Sequence, residues 1–124
     1  MADINAVAKS FTDFYYNTFD GNRSQLASLY RQGSMLSWEG QQILGSQAIT
    51  EKLTSLPFAK VQHRTISIDA QPGIHPNSVV VLVTGQLLID DETNPQFFTE
   101  AFTLVSEGGN SYYVYNDIFR LVLG

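Results

Sequence analysis

Val79-Val80-Val81-Leu82-Val83-Thr84-Gly85-Gln86-Leu87-Leu88-Ile89 is a mainly apolar, strand-like stretch interrupted only by Gly85 and ended by Asp90-Asp91-Glu92. It reads as one long strand followed by an acidic turn. The chain on both sides also reads as strand. Ala59 to Ala70 alternates through Val61, His63 and Thr65, then changes phase at Ile66 and Ile68, which marks a bulge. Gln71 to Ser78 contains Pro72, Gly73 and Pro76 and forms a loop. Downstream, Pro95 opens a return strand, Phe97 to Val105, and Glu107-Gly108-Gly109-Asn110 turns the chain into a last strand, Tyr112 to Leu123.

The upstream half is helical. Ile4, Val7, Ala8, Phe11, Phe14, Tyr15 and Thr18 recur at steps of three and four, so a helix is predicted from Asp3 to Phe19 with Asp3 as its cap. Asp20-Gly21-Asn22 stops it, and Ser24 to Tyr30 restarts a shorter one. Two short strands, Met35 to Trp38 and Gln42 to Leu44, flank a turn at Glu39-Gly40. Ser46 reads as the cap of a third helix, with Ile49, Leu53 and Leu56 inside and Pro57 as its stop. Helices followed by long strands with short turns describe an α+β fold. The expectation is a single domain over residues 1–124: a cone-like, strongly bent antiparallel sheet packed on a long N-terminal helix, with two shorter helices.

With 124 residues, 44% of them hydrophobic, the chain is large enough for one real core. Its net charge of -5 argues against nucleic acid, because phosphate contacts require a basic face. The absence of cysteine removes disulfides and thiolate metal sites. No apolar run approaches the roughly 20 residues that span a bilayer, so membrane insertion is not expected. Met1-Ala2-Asp3-Ile4-Asn5 lacks the features of a secretory signal, and a reducing, intracellular compartment is expected.

Few residues point to chemistry. His63 lies in an alternating strand and His75 in a loop; no histidine pair at helical spacing suggests zinc. Asp90, Asp91 and Glu92 lack the spaced ligands of a calcium loop, and neither a metal nor a cofactor is expected. An enzyme reading survives as the alternative. Tyr15, Tyr16, His63 and Asp117 supply a proton-transfer set if a cone cavity brings them together, as in a dehydratase or isomerase. The opposing reading is that the tyrosines fill core.

The acidic turn and the only tryptophan, in Trp38-Glu39-Gly40, carry the most information about partners. Brought together, they form an aromatic surface ringed by carboxylates, suited to a protein that presents Lys or Arg beside an apolar knob. The plainer reading is a solvated turn that blunts a sheet edge.

Several segments carry a resemblance. Phe14-Tyr15-Tyr16-Asn17-Thr18-Phe19-Asp20, Trp38-Glu39-Gly40, Glu51-Lys52-Leu53-Thr54-Ser55-Leu56-Pro57-Phe58, Lys60-Val61-Gln62-His63 and Asn116-Asp117-Ile118-Phe119-Arg120-Leu121 resemble the nuclear transport factor 2 family in order and over the whole length. Leu87-Leu88-Ile89-Asp90, Asn94-Pro95-Gln96 and Gly109-Asn110-Ser111-Tyr112-Tyr113-Val114 are similar to its fungal members. The resemblance implies a non-enzymatic homodimer that binds the GDP form of the small GTPase Ran. It also implies passage between cytoplasm and nucleus through nuclear pores, by contact with phenylalanine-glycine nucleoporins. The Ran contacts it implies are Trp38, Glu39, Asp90, Asp91 and Glu92, with Lys60 on the rim and Leu56, Val61, Leu82, Ile118 and Phe119 at or near the cavity that takes a Ran aromatic. His63 and Ile118 match places near a dimer interface, and Ile4 and Asp20 match nucleoporin contacts. Where family members carry a large aromatic near the helix start, this chain has Ile4, which keeps apolar area without ring stacking.

Overall fold

The computed structural model describes residues 3–57, 59–109 and 111–122. Asn110 in the expected turn and Leu123 at the expected end of the last strand lie outside the described residues. Helix α1 runs Ile4–Gly21, and Asp3 caps it by accepting from the Asn5 N–H at 3.0 Å. Its buried stripe is Ala8, Phe11, Thr12, Tyr15, Tyr16 and Phe19. Phe14, expected in that stripe, is 55% exposed. It sits about 100° around the helix from Tyr15, on the flank of the inner face.

A 3₁₀ helix follows at Arg23–Leu29, capped by Asn22, and the chain enters β1, Tyr30–Trp38. β1 pairs with β2, Gln41–Leu44, through the two-residue turn Glu39-Gly40. Helix α2 is Ser46–Thr54. Ser46 is not its cap: Gly45 holds that position, and the Ser46 hydroxyl donates to the Ala27 carbonyl at 3.0 Å, tying α2 to the 3₁₀ helix. The helix stops before Leu56, which packs half-buried against the core from the following turn.

The remaining strands are β3, Val61–Pro72; β4, Ser78–Ile89; β5, Gln96–Ser106; and β6, Tyr112–Val122. Together the strands make one sheet in the order β2-β1-β6-β5-β4-β3. The expected antiparallel pairing holds for all neighbours but one: β1 and β6 run parallel. Hairpins force sequential strands to alternate, but β1 and β6 are far apart in the chain and no turn links them.

The β3 bulge falls where the phase change placed it, between Thr65 and Ser67. A second bulge was not legible in advance. The β5–β6 register steps from Thr103↔Asn116 to Leu104↔Val114 and skips Tyr115. A bulge shifts the pleat by one residue. Val114 is therefore buried while Ile118 faces out, so the every-second-residue row Tyr112, Val114, Asn116, Ile118 and Arg120 does not share one face.

The bent sheet closes its concave side over α1. Phe102 meets Phe11 and Tyr15 edge-on at 5.3 and 5.0 Å between ring centroids, a favoured aromatic geometry.

Candidate binding surface

Strand directions bring the two acidic turns to the same end of the molecule. β6 is antiparallel to β5, and β5 to β4, so β4, β6 and β1 all run the same way. Their C-terminal ends, and with them Trp38-Glu39 and Asp90-Asp91-Glu92, lie along one rim. An aromatic shelf lines it. Trp38 stacks on Phe119 at 4.1 Å and on Phe19 at 6.4 Å; Phe98 continues the stack beneath Phe119 at 5.7 Å. Phe119 is buried and Trp38 is half-buried, so the indole closes the core and keeps part of its surface in solvent.

Glu39 and Asp90 are the non-glycine residues with positive φ among the described residues, each at 50°. This left-handed conformation is disfavoured for a side chain with a Cβ. Each carboxylate makes a local bond that offsets the cost. Glu39 Oε1 accepts the Leu121 N–H at 2.5 Å across the end of β6. Asp90 Oδ1 accepts the Ala59 and Lys60 N–H groups at 3.0 and 2.8 Å, while the Asp90 N–H donates to the Lys60 carbonyl. Both acids thus fasten neighbouring backbone, a role that sequence reasoning did not foresee. Asp91 and Glu92 are exposed. Lys60 and Val61 join Asp90 and Glu92 around a cavity of ≈ 390 Å³.

The rim is not purely acidic. The Arg120 guanidinium lies over Gly40, so close that a Cβ there would sit 3.1 Å from Nη2. Arg120, Phe19 and Phe98 were missed as parts of this surface. Their signal was the cross-strand register Trp38↔Phe119, which no sequence periodicity supplies.

Two residues expected near the cavity lie elsewhere. Leu82 and Ile118, 46% and 52% exposed, stand with Ala101 in one register row on the outer face of the sheet. The pleat puts alternate residues on opposite faces, and theirs is the convex one. His63 is the converse case. Expected with Ile118 near a dimer interface, it points its side chain inward, 3% exposed. Its Nδ1 lies 2.6 Å from Asp20 Oδ1, its backbone N–H donates to Asp20 Oδ2, and its ring stacks on Tyr16 at 4.4 Å. It fastens the end of α1 to β3. That bond also engages Asp20, while Ile4 packs half-buried against the core.

The proton-transfer set does not open to a substrate. Tyr15, Tyr16 and Asp117 are buried within the core, with Tyr15 and Tyr30 directed at the Asp117 carboxylate and Tyr16 at Glu100. Burial pushes all three tyrosine hydroxyls well above their ordinary range, and the neighbouring acids add to it, so they remain protonated donors.

A curled, unclosed sheet wrapped on one long helix is the nuclear transport factor 2 fold, and the nuclear transport factor 2 domain matches residues 7–121. The chain belongs to the nuclear transport factor 2 family. It is 58% identical over its whole length to all of nuclear transport factor 2 of Schizosaccharomyces pombe. The solved nuclear transport factor 2 of Cryptosporidium parvum superposes with a TM-score of 0.90 at 38% identity, covering 96% of this chain and 94% of that one. A hexachlorocyclohexane dehydrochlorinase, 10% identical with a TM-score of 0.77 over 94% of this chain and 84% of its own, shares the fold alone. Identity of this extent to curated transport factors supports a role in nuclear transport.

Proposed function

We propose that the protein is a homodimeric, non-enzymatic carrier that binds Ran in its GDP form and takes it through nuclear pores by contacts with phenylalanine-glycine nucleoporins. It would act in the cytoplasm, the nucleus and the nuclear envelope. The observation that carries this reading is the rim itself. Two acids are held in a disfavoured backbone conformation at the same end as a stacked tryptophan, with Asp91 and Glu92 exposed beside them. Strained residues held by their surroundings cluster at functional sites. An aromatic side chain of Ran would lie against Trp38 above Phe119, and its bases would pair with Glu39, Asp90, Asp91 and Glu92. Lys60, Val61 and Leu56 complete that end of the surface.

The homodimer rests on the outer face, where the exposed row of Leu82, Ala101 and Ile118 offers apolar surface for a second copy. Nucleoporin contact is assigned to Ile4 and Asp20 at the two ends of α1. The small-molecule enzyme is disfavoured by the burial of Tyr15, Tyr16 and Asp117.

Pull-down on immobilised Ran loaded with GDP or GTP tests the reading. Capture by the GDP form alone is expected. Capture by neither form, or equally by both, would contradict it.

A further inference from the structure

The core holds a polar cluster that the proposed carrier role leaves unused. Glu100 on β5 and Asp117 on β6 are 2% and 1% exposed. The ladder pairs Glu100 with Phe119 and Phe102 with Asp117, so the two acids are diagonal neighbours on the inner face. The groups that act on them are each other, Tyr15 and Tyr16 from α1, and Tyr30 from β1. His63 of β3 stacks on Tyr16.

The donors are unevenly shared. Tyr30 donates to Asp117 Oδ2 at 2.7 Å, and Tyr15 reaches the same oxygen at 3.2 Å while lying 2.6 Å from the Tyr30 hydroxyl. Tyr16 donates to Glu100 Oε1 at 2.9 Å. Asp117 Oδ1 is buried and receives no donor when both acids are ionised. An unmatched buried carboxylate oxygen is costly, and two adjacent buried negative charges more so. A single proton removes both faults.

We propose that Glu100 and Asp117 hold one proton between them: Glu100 is a neutral acid whose O–H donates to Asp117 Oδ1, and Asp117 is the carboxylate. Every polar atom of the pair is then matched. Glu100 Oε1 is the carbonyl oxygen that accepts from Tyr16, and its other oxygen carries the proton. Burial raises the Glu100 carboxyl well above its ordinary value near 4.5, and the Asp117 charge raises it further. Asp117 is raised by burial too, but bonds from Glu100, Tyr30 and Tyr15 favour its charged form.

The sign of the pH effect follows. Glu100 is raised in the folded state, so its stabilising contribution is complete below pH 4.5 and declines as pH rises toward the folded value. Across that window the folded state binds one more proton, and the unfolding constant grows about tenfold per pH unit. The cluster lies behind the Trp38 shelf, since Glu100 is the ladder partner of Phe119 and Leu36 of Asp117. The proton is thus a lock on the strands that carry the shelf.

Infrared difference spectra of the wild type and Glu100→Gln in the same window, at about pH 5.5, test this. Glutamine keeps an oxygen for Tyr16 and an N–H for Asp117 Oδ1, so the variant should fold. The wild type is expected to show the C=O stretch of a protonated carboxyl, and Glu100→Gln to lack it. Urea unfolding should show the tenfold-per-unit slope between about pH 5 and 6 in the wild type and its loss in Glu100→Gln. Absence of the band in the wild type, or its survival in Glu100→Gln, would overturn the proposal. If Glu100→Gln fails to fold, Asp117→Asn decides: the band should persist, and its loss overturns the assignment to Glu100.

Discussion

Glu39 and Asp90 each do two things, and substitutions can separate them. Both occupy left-handed backbone, which costs a residue with a Cβ roughly 1–2 kcal/mol. Asp90→Asn keeps an oxygen for the Ala59 and Lys60 N–H groups and tolerates this conformation well. It should change unfolding free energy by no more than about 0.5 kcal/mol. Asp90→Val leaves both amides unmatched and adds strain, and should cost about 2 kcal/mol. Glu39→Gln likewise keeps the acceptor for Leu121. If the rim binds through charge, Asp90→Asn and Glu39→Gln each weaken Ran-GDP binding about tenfold or more, because a desolvated base is left without its partner. Urea titrations beside calorimetric binding would show the separation. A Gln or Asn variant that binds like the wild type would make these acids purely structural.

At the scale of elements, Gly85 decides how β4 meets its neighbours. A Cβ there would lie 2.5 Å from the Arg64 carbonyl and 2.7 Å from Phe98 Cε1. Backbone on one side and a fully buried ring on the other leave little room to yield, so Gly85→Ala should destabilise by about 1–3 kcal/mol in thermal or urea unfolding. Wild-type stability in this variant would mean that the Phe98 ring moves freely. Gly85 was visible in the sequence as a break in an apolar run, but its reason, the approach of Phe98 from β5, is not local. The same limit separates what could be read from what could not. The α1 stripe, the β3 phase change and the succession of strands along the chain follow from periodicity. The parallel β1–β6 pairing and the Tyr115 bulge depend on contacts remote in sequence. That bulge alone splits the alternate residues of β6 between the two faces, and the pleat puts Leu82 outside the cavity. Trp38, Glu39 and the 90–92 acids were legible as a candidate surface because composition marks them. Their hydrogen bonds to Leu121, Ala59 and Lys60 were not, because those bonds arise only when distant backbone arrives.

For the whole molecule, the proposed assembly rests on the outer face. Ile118 stands beside Ala101 and Leu82 across three strands. A charge placed there stays exposed in a monomer but would be buried unpaired in a dimer built on this face. Ile118→Glu is therefore expected to sediment as a monomer with near-native unfolding, whereas a fully dimeric variant would move the interface elsewhere. The proposed carrier role also requires that loading depend on the nucleotide state of the cargo. Small GTPases rearrange their switch loops when the γ-phosphate is present. A surface that clamps an aromatic and flanking bases of such a loop binds only the arrangement that presents them together. One lost aromatic anchor and one unpaired carboxylate exceed the roughly 2.7 kcal/mol that corresponds to a hundredfold difference. Calorimetric titration of the wild-type protein with Ran-GDP and with Ran-GTP at one salt concentration tests this directly: at least ~100-fold tighter binding of the GDP form is expected, and comparable affinities for the two forms would contradict switch-loop recognition.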